Sequence, residues 1–256
     1  MTGPLRVVDL NADLGESFGV WRLGDDKALL EIVTSANIAC GFHAGDPLTI
    51  RHACAGAVAR GVAIGAQVSY RDLAGFGRRE MAVPPAELAA EVLYQIAALD
   101  GVARAEGGRV RYVKPHGALY NRAVTDPEQA AAIASATVSY DPALPILTLP
   151  GSALATAATD VRLPTITEAF ADRAYRDDGT LVPRGEPGAV LTEPAAVAAR
   201  AVRMVVDGTV QTTSGVALEM SPRSICVHGD TPGAAVLAAA VRAALEEAGV
   251  TLAPFA

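Results

Sequence analysis

Seven short apolar runs, separated by longer stretches of helical periodicity, restrict this chain to a parallel α/β architecture. The runs are Val7–Asn11, Ser35–Ala39, Ala63–Val68, Val110–Lys114, Ile146–Leu149, Thr165–Ala169 and Ser224–Val227. Most are rich in β-branched residues and lack polar alternation, as strands covered on both faces do. Helices are expected near 26–34, 47–60, 85–105, 127–139, 152–158, 194–207 and 232–248. Leu88, Val92, Ile96 and Leu99, for example, recur at helical spacing. Asp46-Pro47, Asp126-Pro127, Glu193-Pro194 and Thr231-Pro232 each set a polar residue before a proline at the first helical position.

Repeated β-α alternation implies a parallel sheet with right-handed crossovers. Seven units suit either a barrel one short of eight or a doubly wound sheet. The barrel is preferred, because no strand opens into a glycine-rich dinucleotide turn. The expected fold is therefore an α/β barrel of about seven parallel strands, one domain spanning residues 1–256. Aromatics are only 5% of a chain that is 51% hydrophobic, so Ala, Val, Leu and Ile must build the core. The longest irregular stretch, Ala171 to Thr192, has the length of a functional loop: a lid, or a surface for docking other subunits.

A net charge of −7 without any basic run argues against nucleic acid as a partner. The three cysteines, Cys40, Cys54 and Cys226, lack metal-type spacing and read as reduced thiols. Met1–Leu10 has no apolar leader pattern, and no uncharged run approaches the roughly 20 residues of a membrane helix. The expected location is the cytoplasm, with no membrane partner.

In parallel α/β folds the chemistry collects at the carboxyl ends of the strands. Asp9, Asn11 and Asp13 share one strand face by the period of two, and Glu16 follows in the turn. Asn37 and His43 follow on the second strand, Gln67 on the third, Lys114 and His116 on the fourth. Glu168, Asp172, Arg173 and Tyr175 belong to the sixth, His228 and Asp230 to the last. Three of four histidines thus fall just after strands, while His52 lies inside a helix and reads as structural. Plainer readings stand beside these. Asp46 and Asp230 suit helix caps, Asp9 an internal hydrogen bond, and Glu168 a pairing with Arg173 or another arginine. Only Lys27 and Lys114 are lysines in an arginine-rich chain, which sets Lys114 apart from an ordinary surface cation.

This inventory suits attack on a carbonyl: a neutral histidine takes a proton from water, carboxylates fix its tautomer, and a desolvated ammonium binds an anion. Metal binding through Asp13, His43 and His116 is an open alternative use of the same groups. Walker, dinucleotide and His-Glu-x-x-His patterns are all absent.

Five segments carry a family resemblance: Asp9 to Gly19 (DLNADLGESFG), Ser35 to Pro47 (SANIACGFHAGDP), Val113 to Asn121 (VKPHGALYN), Glu168 to Tyr175 (EAFADRAY) and Val227 to Asp230 (VHGD). In this order they resemble the LamB/YcsF lactam-utilisation family across nearly the whole chain. The resemblance implies a distorted seven-stranded barrel like those of glycoside hydrolases and deacetylases. It further implies a hydrolase of a cyclic amide C–N bond: ATP-dependent opening of 5-oxo-L-proline to L-glutamate by a 5-oxoprolinase, in which this chain is the A component and works with subunits B and C. At the third strand the family commonly shows Gly-Ala-His-Pro, where this chain has Gly65-Ala66-Gln67-Val68. A four-histidine metal site therefore cannot form here.

The expected roles combine both readings. His116 or His43 is the base, oriented by Asp13 and Glu16. Lys114 holds the substrate carboxylate or an activated ring oxygen, His228 and Asp230 serve the leaving nitrogen, and Asn11 and Asn37 bond the ring. Gln67, Glu168, Arg173 and Tyr175 complete the substrate contacts. Changing Lys114 to Met is expected to abolish turnover and leave the fold intact. Two other readings remain: a stand-alone metal-dependent amidase or deacetylase, and a non-catalytic substrate-binding subunit.

Overall fold

The computed structural model describes residues 6–256; Met1–Leu5, half of the stretch in which no leader pattern is expected, lie outside them. All seven expected strands form. β1 (Arg6–Leu14), β2 (Ser35–Ala39), β3 (Ala63–Val68), β4 (Val110–Pro115), β5 (Ile146–Thr148) and β6 (Thr165–Phe170) pair side by side in chain order. A small antiparallel hairpin, β7 (Thr209–Gln211) and β8 (Ala217–Glu219), stands apart from this sheet. β9 (Ser224–Val227) then pairs in parallel with β6 on one side and β1 on the other. The result is a closed parallel barrel of seven strands.

Several elements lie beyond the sequence expectation. The hairpin is one, and β10 (Val250–Leu252) is another; it pairs with Arg6–Val8, the part of β1 below its contact with β9. The helices are α1 (Asp26–Leu30), α2 (Pro47–Arg60), α3 (Pro85–Ala105), α4 (Gly117–Thr125), α5 (Pro127–Tyr140), α6 (Ala153–Asp160), α7 (Pro194–Val202) and α8 (Ala234–Glu247). The first is shorter than expected, α4 is new, and α7 runs into a single π turn over Arg203–Asp207. Thr231-Pro232 does not start α8. Gly233, at φ +79°, turns the chain first and occupies the cap position.

Alternation along β1 divides core from site. Leu10, Ala12 and Leu14 belong to the apolar core. Asp9, Asn11 and Asp13 point the other way, into a barrel interior that is hydrogen-bonded rather than filled with branched aliphatic side chains. Tyr112 crosses this interior over Gly65, where a Cβ would sit 2.2 Å from the ring. Asp46 caps α2, accepting from the amides of Leu48 (2.9 Å) and Thr49 (3.1 Å). It also accepts from Gly19 N at 2.9 Å, tying the loop after β1 to that helix.

Candidate active site

The lower part of the site is a chain of buried polar groups through the barrel. Asp9 accepts from Thr34 and Ser35 at 2.6 Å each, and from Ser224. Burial still pushes its carboxyl up, to about 6, against those three hydroxyls. Asn11 donates to Ser224 (2.7 Å) and Glu168 (3.1 Å), while Asn37 donates to Asn11 (2.7 Å) and Asp13 (2.8 Å). Tyr112 donates to Asn37 at 2.6 Å. Above them lies the Lys114 ammonium, 3% exposed. Its nitrogen is 2.8 Å from Glu168, 3.1 Å from Asn11 Oδ1 and from Cys226 Sγ, and 3.4 Å from Asp13. Burial works against this charge, but Asp13, Cys226 and Glu168 together hold Lys114 protonated well above its ordinary range. Glu168 thus pairs with lysine, not with Arg173.

Beside Lys114, two imidazoles stack. His43 and His116 lie with ring centroids 4.1 Å apart and planes at 19°. Glu16 Oε1 faces both, 3.9 Å from His43 Nε2 and 3.7 Å from His116 Nε2, and accepts from Gln67 at 3.2 Å. Burial drives His43 down to about 4 and His116 well below its usual value. The same burial, reinforced by Asp13 and Asp230, raises Glu16 well above the carboxylate range. Both ring nitrogens of His43 and Nδ1 of His116 lack any hydrogen-bond partner among the described residues. Such orphaned atoms cost about 1–3 kcal/mol each. The three ligand atoms of Glu16, His43 and His116 lie within 4.8 Å of one another, a donor set that fits a divalent metal. Asp13, the expected third ligand, instead engages Asn37 and Lys114.

The loop after β3 closes over this pair. Phe76, at φ +55°, sets its ring edge-on to His43 and His116, at 5.8 and 5.3 Å. Gly77 follows at φ +65°, where a Cβ would fall 2.4 Å from Ser69 Oγ and 3.0 Å from His116 Nδ1. Only glycine lets the backbone pass so near the imidazole.

On the far side, Asp172 accepts at 3.0 Å from His228 Nδ1 and at 3.1 Å from its amide. Burial opposes the charge of Asp172, yet His228 holds its carboxyl below the ordinary range. Phe170 stacks on the His228 ring at 5.4 Å. Asp230 is not the partner of His228: it lies 2.7 Å from Arg78 and 3.8 Å from Arg184. Nor is it a helix cap, since α8 begins later.

Between these groups opens a pocket of about 210 Å³, whose lining includes Asp13, Lys114, His116, His228, Phe170 and Tyr120. Arg173, Leu181, Pro183 and Arg184 bring the 171–192 segment into its wall. Asn11, Asn37, Gln67, Glu168 and Tyr175 do not line it. The first four belong to the buried network, and Tyr175 accepts from Phe170 N at 2.8 Å. Sequence reasoning placed Asp172 beside the site without a role, and missed Arg78, Arg184 and Tyr120. Tyr120 lies within the VKPHGALYN segment and Arg184 within the 171–192 loop, each of which offered a signal; Arg78 sits in a loop with none.

Fold and site together define a closed parallel β/α barrel carrying an acid–base cluster and a small polar pocket at the carboxyl ends of its strands. The profile of the LamB/YcsF family matches residues 8–256, and the chain belongs to that family. It is 61% identical over 250 residues to the A subunit of 5-oxoprolinase from Streptomyces avermitilis, covering 98% of this chain and 100% of that one. It is 59% identical over 248 residues to the corresponding 5-oxoprolinase chain of Mycolicibacterium paratuberculosis, covering 97% and 98%. The crystal structure of a lactam utilization protein from Thermus thermophilus is 48% identical and superposes with a TM-score of 0.92 over 97% of this chain and 99% of the other. Among the described residues no helix is long and apolar enough to cross a membrane.

Proposed function

We propose that the chain opens the lactam ring of 5-oxo-L-proline to L-glutamate, as one subunit of an ATP-dependent 5-oxoprolinase that also contains subunits B and C. The observation that carries this reading is the His228–Asp172 pair at the edge of a small pocket, in a chain 61% identical to a protein named for that reaction. Asp172 holds the proton on Nδ1, which leaves Nε2 as the acceptor. That nitrogen takes a proton from water as it adds to the ring carbonyl, and returns it to the departing nitrogen. The base is better supported here than at His43, which is fully buried. Lys114 supplies fixed positive potential from beneath the pocket rather than a mobile ligand contact. A pocket of about 210 Å³ suits one small ring rather than a nucleotide, so ATP is handled in the partner subunits.

The unmet ring nitrogens of His43 and His116 beside Glu16 support a bound divalent metal in the same site. Held there, it would act as a Lewis acid towards the ring carbonyl. Metal analysis after dialysis against zinc should find one equivalent per chain, lost in His43→Ala; no bound metal in the unaltered chain would remove this element.

Glutamate release from this chain mixed with B and C, with each protein and ATP omitted in turn, tests the main reading. Turnover is expected only with all three and ATP. ATP-independent release of product by this chain alone would favour a stand-alone amidase. Full turnover without this chain would remove it from the reaction.

A further inference from the structure

One wall of the pocket holds more cationic groups than carboxylates to match them. Arg173, Arg184 and Arg78 all line it. Asp230 is the only acidic group within 4 Å of Arg184 or Arg78 among the described residues, at 3.8 and 2.7 Å. Arg173, only 4% exposed, has no carboxylate oxygen within 4 Å among the described residues. Its Nε and Nη2 donate instead to the backbone carbonyls of Ala189 (3.3 Å) and Val182 (2.5 Å). The neighbouring acid, Asp172, is engaged by His228. A buried guanidinium without a counter-ion is unfavourable, and two more cations close by add to the cost. Burial first, and the nearby Arg184 charge second, bring Arg173 down to about 10, in keeping with that crowding.

We propose that Arg173, Arg184 and Arg78 form a recognition subsite for the carboxylate of a small lactam acid, with Asp230 occupying two of these arginines until that carboxylate arrives. The assignment rests on the lactam reading above and says how the pocket selects among lactams. Guanidinium groups match a planar carboxylate with paired donors, and the enclosed wall strengthens each contact. The three come from two loops. Arg78 follows β3, while Arg173 and Arg184 belong to the segment after β6. A bound carboxylate would therefore pin both loops over the ring. Lys114, the residue expected from sequence to hold this group, is already engaged by Glu168 and Asp13.

Calorimetric titration of the full chain with 5-oxo-L-proline, with 2-pyrrolidinone (the same ring without a carboxylate) and with inorganic phosphate tests the subsite. The acid should bind at least tenfold more tightly than the neutral lactam. Arg184→Met should reduce that preference at least fivefold; among the described residues this side chain makes no backbone hydrogen bond that its loss would break. Asp230→Asn should act in the opposite sense and tighten the acid severalfold, because the resident competitor is discharged. General damage to the loops would weaken binding in both variants. Equal affinity for the acid and the neutral lactam would overturn the subsite and leave the lactam reading in place. Binding of neither compound would overturn both. Phosphate that binds in an Arg184-dependent way and excludes the acid would reassign the arginines to phosphate, and so overturn the carboxylate assignment.

Discussion

Lys114→Met is expected to cost about 3–5 kcal/mol of stability, because it strands two buried carboxylates that share one cation. The nitrogen lies 2.8 Å from Glu168 and 3.4 Å from Asp13, and all three side chains are nearly inaccessible. For a chain of this size each kcal/mol is worth roughly 2–4 °C, so the melting temperature should fall by about 6–20 °C. This revises the sequence expectation of an inactive but intact fold. The rarity of lysine correctly set residue 114 apart, but its burial between acids could not be read from the sequence. A triple variant, Lys114→Met with Asp13→Asn and Glu168→Gln, removes the charges together and should regain at least half of the lost stability. Calorimetric melting of both variants checks this. A single variant that melts within a degree or two of the unaltered chain would mean that the buried cation does not stabilise this cluster.

Loss of the His228–Asp172 pair should have the largest effect on turnover. General acid–base groups contribute roughly 10²–10⁴ in rate, and His228→Ala is expected to lose that much in kcat of the assembled enzyme. Asp172→Asn keeps the size of the side chain but removes the charge that balances an imidazolium formed as the proton moves. It should therefore fall in the same range. Its amide also no longer enforces a proton on Nδ1. The Asp172 carboxyl is held below its ordinary range, so it stays ionised through neutral pH, and no loss of activity from its titration is expected there. Steady-state glutamate release across pH 6 to 9 measures both variants. A kcat within threefold of normal for His228→Ala would move proton transfer to the stacked histidines beside Glu16.

Much of the frame was legible because it depends on local patterning. Short runs, most of them apolar, marked all seven barrel strands, and the period of two put Asp9, Asn11 and Asp13 on one face. Asp46, Asp126 and Glu193 all cap the helices that their prolines begin. The pattern failed where a signal was short or contradictory. β10 is three residues long, α4 opens on Gly117 directly after His116, and Gly233 overrides the Thr231-Pro232 start.

The sequence by itself determined which residues would stand at the strand ends, because strand direction and alternation are properties of neighbouring residues. Tertiary structure alone decided who meets whom. His228 finds Asp172 across 56 positions, Arg78 finds Asp230 across 152, and Lys114 finds Cys226 across 112. Those pairings arise when β9 closes the sheet against β1 and β6, and barrel closure is a long-range event that no local window contains. Burial follows from the same closure. It is burial that turns strand-end polar residues into neutral histidines, a trapped ammonium and an arginine with no counter-ion among the described residues.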